Sequence, residues 1–168
     1  MGVLTRIFGG RGGERAALVP LYHAIVAEAR RPAWYREAAV ADTIDGRFDV
    51  LALAMSLVLL RLEREGAAGA KHAVLLTEVF IDDMDGTMRE IGYGDLVVGK
   101  QVGGAMGALG GRLGAYREGE RRAALARNLY RGHPPDERAL DRAVVLAESL
   151  EARIEALPLD RLLAGALA

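Results

Sequence analysis

The stretch from Val50 to Leu60 (VLALAMSLVLL) is apolar on every face of a helix, and it constrains the fold more than any other feature of the 168-residue chain. Only Ser56 interrupts this stretch, and Asp49 and Arg61 flank it. A membrane-spanning helix needs about 20 apolar residues, roughly twice the length of this run. A shorter helix that is apolar all round is expected at the centre of a protein, with other elements packed around it. We predict this central helix over residues 48–65.

Apolar residues at helical spacing continue through the rest of the chain, and no segment alternates as a half-buried strand does. We therefore predict an all-α fold class, a single-domain helical bundle of about six to eight helices. The other predicted helices include residues 14–31, a short helix that begins at Pro32, residues 71–91, and a last long helix over about residues 135–157. Residues 1–13 are predicted to be a flexible N-terminal segment, and residues 14–168 to be the domain.

Composition argues against several classes of function. The formal net charge is −1, so the chain has no general attraction for nucleic acid. The absence of cysteine excludes disulfides, thiol nucleophiles and cysteine-ligated metals. His23, His72 and His133 lack the spacing of a metal motif, and no nucleotide-binding, hydrolase or zinc-protease motif is present. We predict no enzyme, no catalytic residue, no metal, no cofactor and no nucleic-acid partner, and we expect no secretory signal at the N-terminus.

The acidic stretch FIDDMDGTMREIG, residues 80–92, has the appearance of a calcium loop. An EF-hand with Gly86 at its sixth position would place Ile81 first and Gly92 twelfth, and neither side chain offers an oxygen ligand. A charged flank on an amphipathic helix explains the stretch better, with Asp85 and Arg89 at the spacing of a favourable pair. On the same helix, apolar residues form one stripe at helical spacing: Ile81, Met84, Met88 and Ile91.

Glycines recur every fourth residue through the segment that follows, at Gly99, Gly103, Gly107 and Gly111. Glycine lowers helix stability by about 1 kcal/mol relative to alanine, so such a helix needs neighbours that compensate. Two interpretations remain open from the sequence. The small face either packs closely inside the bundle or forms a groove that admits a foreign apolar helix.

Three motifs resemble, in this order, those of the ubiquinol–cytochrome c chaperone family. They are DT-x-DGRFD, then DMD-x-x-x-RE-x-G-x-GD-x-x-VGK, then RNLYRG, and the resemblance covers about residues 18–132. It implies a non-enzymatic assembly factor that holds newly made cytochrome b during the biogenesis of cytochrome bc1, which is complex III of the respiratory chain. It also suggests a small partner protein and the ribosome as binding partners. The chain resembles a bacterial member, expected in the cytoplasm or at the cytoplasmic face of the inner membrane.

The resemblance and the apolar stripe together predict an apolar client. We predict that a client helix docks on a surface of aromatic, aliphatic, methionine and glycine residues: Trp34, Tyr35, Phe48, Phe80, Met84, Met88, Ile91, Gly99, Gly103 and Gly107. For each of these residues, the alternative to client contact is packing in the protein core. The N-terminal VLTRIF is a further candidate, for contact with the inner membrane.

The motifs also contain charged residues: Asp42, Asp45, Arg47, Asp85, Arg89, Glu90, Asp95 and Lys100. For Asp42, Asp45 and Arg47 we expect structural salt bridges. For the others, salt bridges at helix junctions and a polar rim around the client site are both open.

Two other classes of function remain as alternatives. A helical adaptor for a soluble partner would show no exposed apolar groove. A metalloenzyme built on an acid cluster such as Asp42 and Asp45, or Asp82 and Asp85, would bring carboxylates together around a metal.

Overall fold

Helices make up the regular structure of residues 12–167, which are the residues that this computed structural model describes. No strand occurs among them, and the all-α prediction is confirmed. Residues 12–16 are helical. The helices that follow are α1 (Val19–Ala29), α2 (Pro32–Arg36), α3 (Ile44–Arg64), α4 (Ala67–Glu90), α5 (Asp95–Glu118), α6 (Arg121–Tyr130), α7 (Glu137–Ala156) and α8 (Leu159–Leu163). The predicted N-terminal segment lies, apart from residues 12 and 13, outside the described part.

Helix α3 is the centre of the bundle, as its sequence predicts. It packs against α1, α4, α5, α6 and α7. Residues 52–60 are all buried, including Ser56, whose hydroxyl donates a hydrogen bond to the carbonyl of Ala52 at 2.7 Å. The hydroxyl is thereby satisfied inside the core, where an unpaired polar group would be costly. These five helices bury one face each against α3.

The start of α3 depends on two residues of the DT-x-DGRFD motif. The Thr43 hydroxyl accepts a hydrogen bond from the amide of Gly46 at 3.1 Å, which caps the helix. A Cβ atom on Gly46 would lie 1.9 Å from the carbonyl oxygen of Ala41. Glycine is therefore required here because the preceding loop crosses directly over the first turn.

Gly46 and Gly86 provide a matched pair of substitutions. Gly46→Ala is expected to lower the free energy of unfolding by about 2 kcal/mol or more, because the new methyl group collides with backbone. Gly86 lies in α4, and no atom lies within 4 Å of the position that an alanine methyl group would take there. Gly86→Ala should therefore raise the free energy by about 0.5–1 kcal/mol. Urea unfolding followed by circular dichroism measures both, and equal effects from the two variants would contradict the assignment.

The structure of helix α5 rules out one of the two interpretations of its regularly spaced glycines. Gly99, Gly103, Gly107 and Gly111 are all exposed, and an added Cβ at each would meet nothing within 4 Å. The interpretation that they pack closely inside the bundle is wrong. The buried residues of α5 are Val98, Leu109 and Tyr116, so the helix docks through a few large side chains and leaves its small face outside.

The termini of several helices also differ from the predicted ones. The first predicted helix is interrupted near Leu18, and α1 begins with Pro20 in its first turn. Helix α4 begins at Ala67 because Gly66, at φ +64°, already allows the chain to reverse after α3. Helix α7 begins at Glu137 because the carboxylate of Asp136 caps it. This carboxylate accepts a hydrogen bond from the amide of Ala139 at 2.6 Å.

Candidate functional site

A groove of about 510 Å³ lies between the first half of α3, the second half of α4 and the middle of α5. Residues from the end of α1, from α2 and from the loop after α6 complete its lining. Eleven of the 21 lining residues are apolar or aromatic: Val26, Ala29, Tyr35, Ile44, Phe48, Leu51, Met84, Met88, Ile91, Ala105 and Ala108. Seven others are charged, among them Asp49, Arg112 and Arg131. We call this feature the client groove, after the predicted client site of which it contains five residues. Its volume is within the usual range for ligand pockets.

Helix α4 supplies the most adaptable side chains of the client groove. Met84 and Met88 are one turn apart, and Ile91 follows three residues later, so the three share one face of the helix. Both methionines are half-buried, whereas Ile91 is 57% exposed. Unbranched thioether side chains can change rotamer to fit differently shaped apolar surfaces.

Two aromatic residues form firmer parts of the groove. The ring of Phe48 lies 6.5 Å from that of Phe80, tilted by 40°, and Phe80 is fully buried behind it. The hydroxyl of Tyr35 donates to the carbonyl of Ala29 at 2.6 Å, and burial raises the pKa of this tyrosine. Both rings are thus held in position by neighbours from the core.

A buried ion pair joins two of the groove helices. Asp49 on α3 is only 2% exposed and accepts a hydrogen bond from Arg112 on α5. The Arg112 guanidinium also lies 5.5 Å from the centre of the Phe48 ring, within cation–π range. Burial raises the pKa of Asp49, while Arg112 and Arg131 act in the opposite direction. Arg112 therefore keeps a charge compensated that would otherwise be isolated in the core.

The RNLYRG motif connects the end of α6 to the start of α3 and the loop before it. The hydroxyl of Tyr130 donates to the carbonyl of Ala38 at 2.5 Å, in the loop that leads to α3, and burial raises its pKa to about 12. Arg131, in the left-handed backbone region at φ +53°, pairs with Asp45 at 2.9 Å. It also lies 3.9 Å from Asp49.

The structure places the predicted client-site residues in three different settings. Tyr35, Phe48, Met84, Met88 and Ile91 come together in the groove. Trp34 and Phe80 are buried in the core at 1% and 0% exposure, so neither presents a surface to a client. The glycines Gly99, Gly103 and Gly107 do not line the groove, and Gly104 does.

The charged residues of the motifs mostly form ion pairs. Arg47 donates to Asp42 at 2.6 Å, and this hydrogen bond lowers the pKa of Asp42. Arg89 donates to Asp85 at 2.6 Å and to Asp95 at 2.5 Å, which ties the end of α4 to the start of α5. These contacts favour the helix-junction interpretation for that trio. Glu90 and Lys100 are exposed, and neither forms an ion pair with another described residue.

Several residues of the groove were not singled out from the sequence. Asp49 and Arg112 are 63 positions apart, and no local sequence pattern predicts that they pair. Ile44 and Ala105 also line the groove without a distinctive spacing. The one available signal was a charge at Asp49 beside an otherwise apolar helix, because a buried carboxylate requires a cationic partner.

The carboxylates proposed for a metal site are engaged by arginines instead. Asp82 pairs with Arg15 at 2.8 Å, and Asp45 and Asp85 have the partners described above. Within residues 12–167 no three histidine or acidic side chains converge as metal ligands would. Among the same residues, none of the helices has the length and apolar content that a bilayer span requires.

Comparison with known proteins identifies the family. A model of the family described as "Ubiquinol-cytochrome C chaperone" matches residues 36–168. The chain belongs to this family. The resemblance seen in the three motifs is thereby confirmed, and the match extends past residue 132 through α7 and α8. Most of the client groove falls within it, whereas the contributions of α1 and Tyr35 precede it.

A solved structure has the same fold. The chain is similar to a protein described as the Cbp3 homolog from Brucella abortus, with 27% sequence identity and a TM-score of 0.74. The alignment covers 97% of this chain and 94% of the other, so the two folds correspond over nearly their whole length. No significant match was found among curated protein sequences.

Proposed function

We propose that this protein is a non-enzymatic assembly chaperone that binds newly made cytochrome b and supports the biogenesis of cytochrome bc1. Membership of the family supports a role in complex III assembly. The observation that carries the client assignment is the exposed apolar groove with Met84 and Met88 on one wall and Phe48 on another. In this proposal one face of an apolar client helix lies in the groove.

The properties of the groove suit a transient client better than a permanent ligand. Its volume accommodates several side chains of a helix, while the opposite face of that helix stays outside. Helix-in-groove binding uses apolar anchors from successive turns, which a transmembrane segment supplies on every face. The methionines adapt to different side-chain shapes, and Tyr35 and Phe48 provide fixed edges. A chaperone needs this combination, because it must bind several apolar sequences and later release them.

The alternatives are less well supported. A helical adaptor for a soluble partner would show no exposed apolar groove, and this chain has one. The acid pairs offered as metal ligands are bound to arginines. The small partner protein, the ribosome and the location at the cytoplasmic face of the inner membrane stay predictions from the resemblance. VLTRIF, offered as a membrane contact, lies outside the described residues.

Site-specific photo-crosslinking tests the client assignment. A photoreactive amino acid at Met84, Met88 or Tyr35, in cells that make cytochrome b, is expected to give a cytochrome b adduct from each position. Val145, 49% exposed on α7 and absent from the groove lining, is the matched control. Silence at all three groove positions together with an adduct at Val145 would mean that the groove is not the client site. No adduct from any position would favour the adaptor.

A further inference from the structure

The client groove contains two of the five methionines of the chain, and the other described methionines have different surroundings. Met84 and Met88 are half-buried and line the groove one turn apart on α4. Met55, in the middle of α3, is 0% exposed. Met106 on α5 is half-buried against the core and is not part of the groove lining. The wall that faces the client therefore has accessible thioethers, whereas the thioether at the centre of the bundle is sealed from solvent.

These thioether sulfurs are the groups of the groove that a peroxide oxidises. The chain has no cysteine, so no thiol of the protein competes for the oxidant. A sulfur lone pair attacks one oxygen of hydrogen peroxide, the O–O bond breaks, and the departing hydroxide takes the proton of the transferred oxygen to become water. The sulfur becomes a sulfoxide and the peroxide is reduced. Because peroxide must reach the sulfur, Met84 and Met88 are expected to react well before Met55.

Oxidation would change this wall of the groove from apolar to polar. A thioether is a weak hydrogen-bond acceptor, whereas a sulfoxide is polar and its oxygen accepts strongly. A docked client helix has no backbone donor for that oxygen, because its N–H groups are bonded within the helix. Three of the four arginines in the lining are already engaged by aspartates: Arg47, Arg112 and Arg131. The sulfoxide would therefore lose water under the client without gaining a partner, which is unfavourable.

We propose that Met84 and Met88 form a modification site: hydrogen peroxide oxidises them and thereby stops client binding, and reduction of the sulfoxides restores it. Methionine sulfoxide reductases catalyse the reverse step, in which a dithiol becomes a disulfide and the sulfoxide oxygen leaves as water. The protein stays folded throughout, since Met55 is protected in the core. The effect on binding rests on the proposed function, because it concerns the same groove.

The selectivity of oxidation is measured first, on the full chain. Trypsin cuts after Lys71 and Arg89, and the peptide of residues 72–89 contains Met84 and Met88 as its only methionines. Met55 and Met106 fall on separate peptides, residues 48–61 and 101–112. After dilute hydrogen peroxide, mass spectrometry is expected to find oxygen added to the 72–89 peptide while the 48–61 peptide stays unmodified. The 48–61 peptide should become oxidised only when the chain is first unfolded in urea.

Client affinity is measured next, by fluorescence anisotropy with a labelled, detergent-solubilised apolar segment of cytochrome b that is added after the peroxide has been removed. Oxidation is expected to weaken binding about tenfold or more, and reductases for both sulfoxide epimers with dithiothreitol should reverse the change. Each variant is compared with itself before and after peroxide. The double variant Met84→Leu with Met88→Leu should lose the response to peroxide, and Met106→Leu should keep it. Thermal unfolding followed by circular dichroism should be the same before and after oxidation.

Each of the contrary results has a distinct meaning. Oxidation of Met55 as fast as that of the 72–89 peptide would overturn the assignment of the site. Undiminished affinity of the oxidised chain would overturn its effect on binding and leave the proposed function standing. A peroxide response that persists in the double leucine variant, or that accompanies unfolding, would assign the effect to another part of the chain. If the untreated chain did not bind the segment, the proposed function and the effect on binding would both be overturned.

Discussion

Replacing Met88 by aspartate is expected to weaken client binding at least about thirtyfold while the protein stays folded. The new carboxylate would lie on the groove wall, and an apolar helix docked there would remove it from water without a partner. Such desolvation costs about 2 kcal/mol or more, which corresponds to about a thirtyfold change in the dissociation constant. Fluorescence anisotropy with a labelled, detergent-solubilised apolar segment of cytochrome b measures the change.

Two control variants separate the charge from other effects of the substitution. Met88→Leu keeps an apolar side chain of similar volume, so affinity should change by less than about threefold. Val145→Asp adds the same charge to the exposed face of α7 and should leave affinity unchanged. Because Met88 is half-buried, the aspartate can reach solvent in the unbound protein, and thermal unfolding should shift little. Unchanged affinity in Met88→Asp would show that the client binds elsewhere.

Removing the carboxylate of Asp49 is expected to produce the largest loss of stability. In Asp49→Ala the guanidinium of Arg112 loses its partner, and its side chain is only 17% exposed. Breaking one side of a buried ion pair costs about 3–5 kcal/mol, much of it from the charge that remains. Urea unfolding followed by circular dichroism gives the change, and a loss below about 1 kcal/mol would contradict the structural role of the pair.

A double variant distinguishes the value of the pair from the cost of breaking it. Burial raises the pKa of Asp49 even with two arginines nearby, so the penalty of burying this charge exceeds their attraction. Replacing both members, as in Asp49→Leu with Arg112→Met, should therefore recover most of the stability lost in the single variant. The groove would keep its shape without the charges, and client affinity in this variant would show whether they also contribute to binding.

The central helix could be predicted from the sequence because it depends on local pattern. An apolar run on all faces required burial of α3, but the helix begins at Ile44, four residues before the predicted start, because Thr43 caps it there. The pairing of Asp85 with Arg89 followed from helical spacing. The sequence motifs also identified the family, since they combine several residues over most of the chain.

The composition of the groove could be predicted only in part, because exposure is decided by long-range packing. Trp34 and Phe80 have aromatic side chains, as Tyr35 and Phe48 do. Only Tyr35 and Phe48 line the groove. The spacing of glycines defines a small face on α5 without determining whether another helix covers it. The partner of Asp49 comes from a helix that the sequence alone does not orient.

The exposed glycines of α5 have a consequence for how the groove moves. Seven glycines in this helix have no neighbour within 4 Å of a Cβ position, so their intrinsic cost of about 1 kcal/mol each is not offset by contacts at those positions. Helix α5 should consequently be the wall that opens first through local unfolding, with amide protons that exchange sooner than those of α3. A yielding wall opposite the methionines allows the groove to widen for bulky segments and to close again after release, with no hinge elsewhere in the bundle.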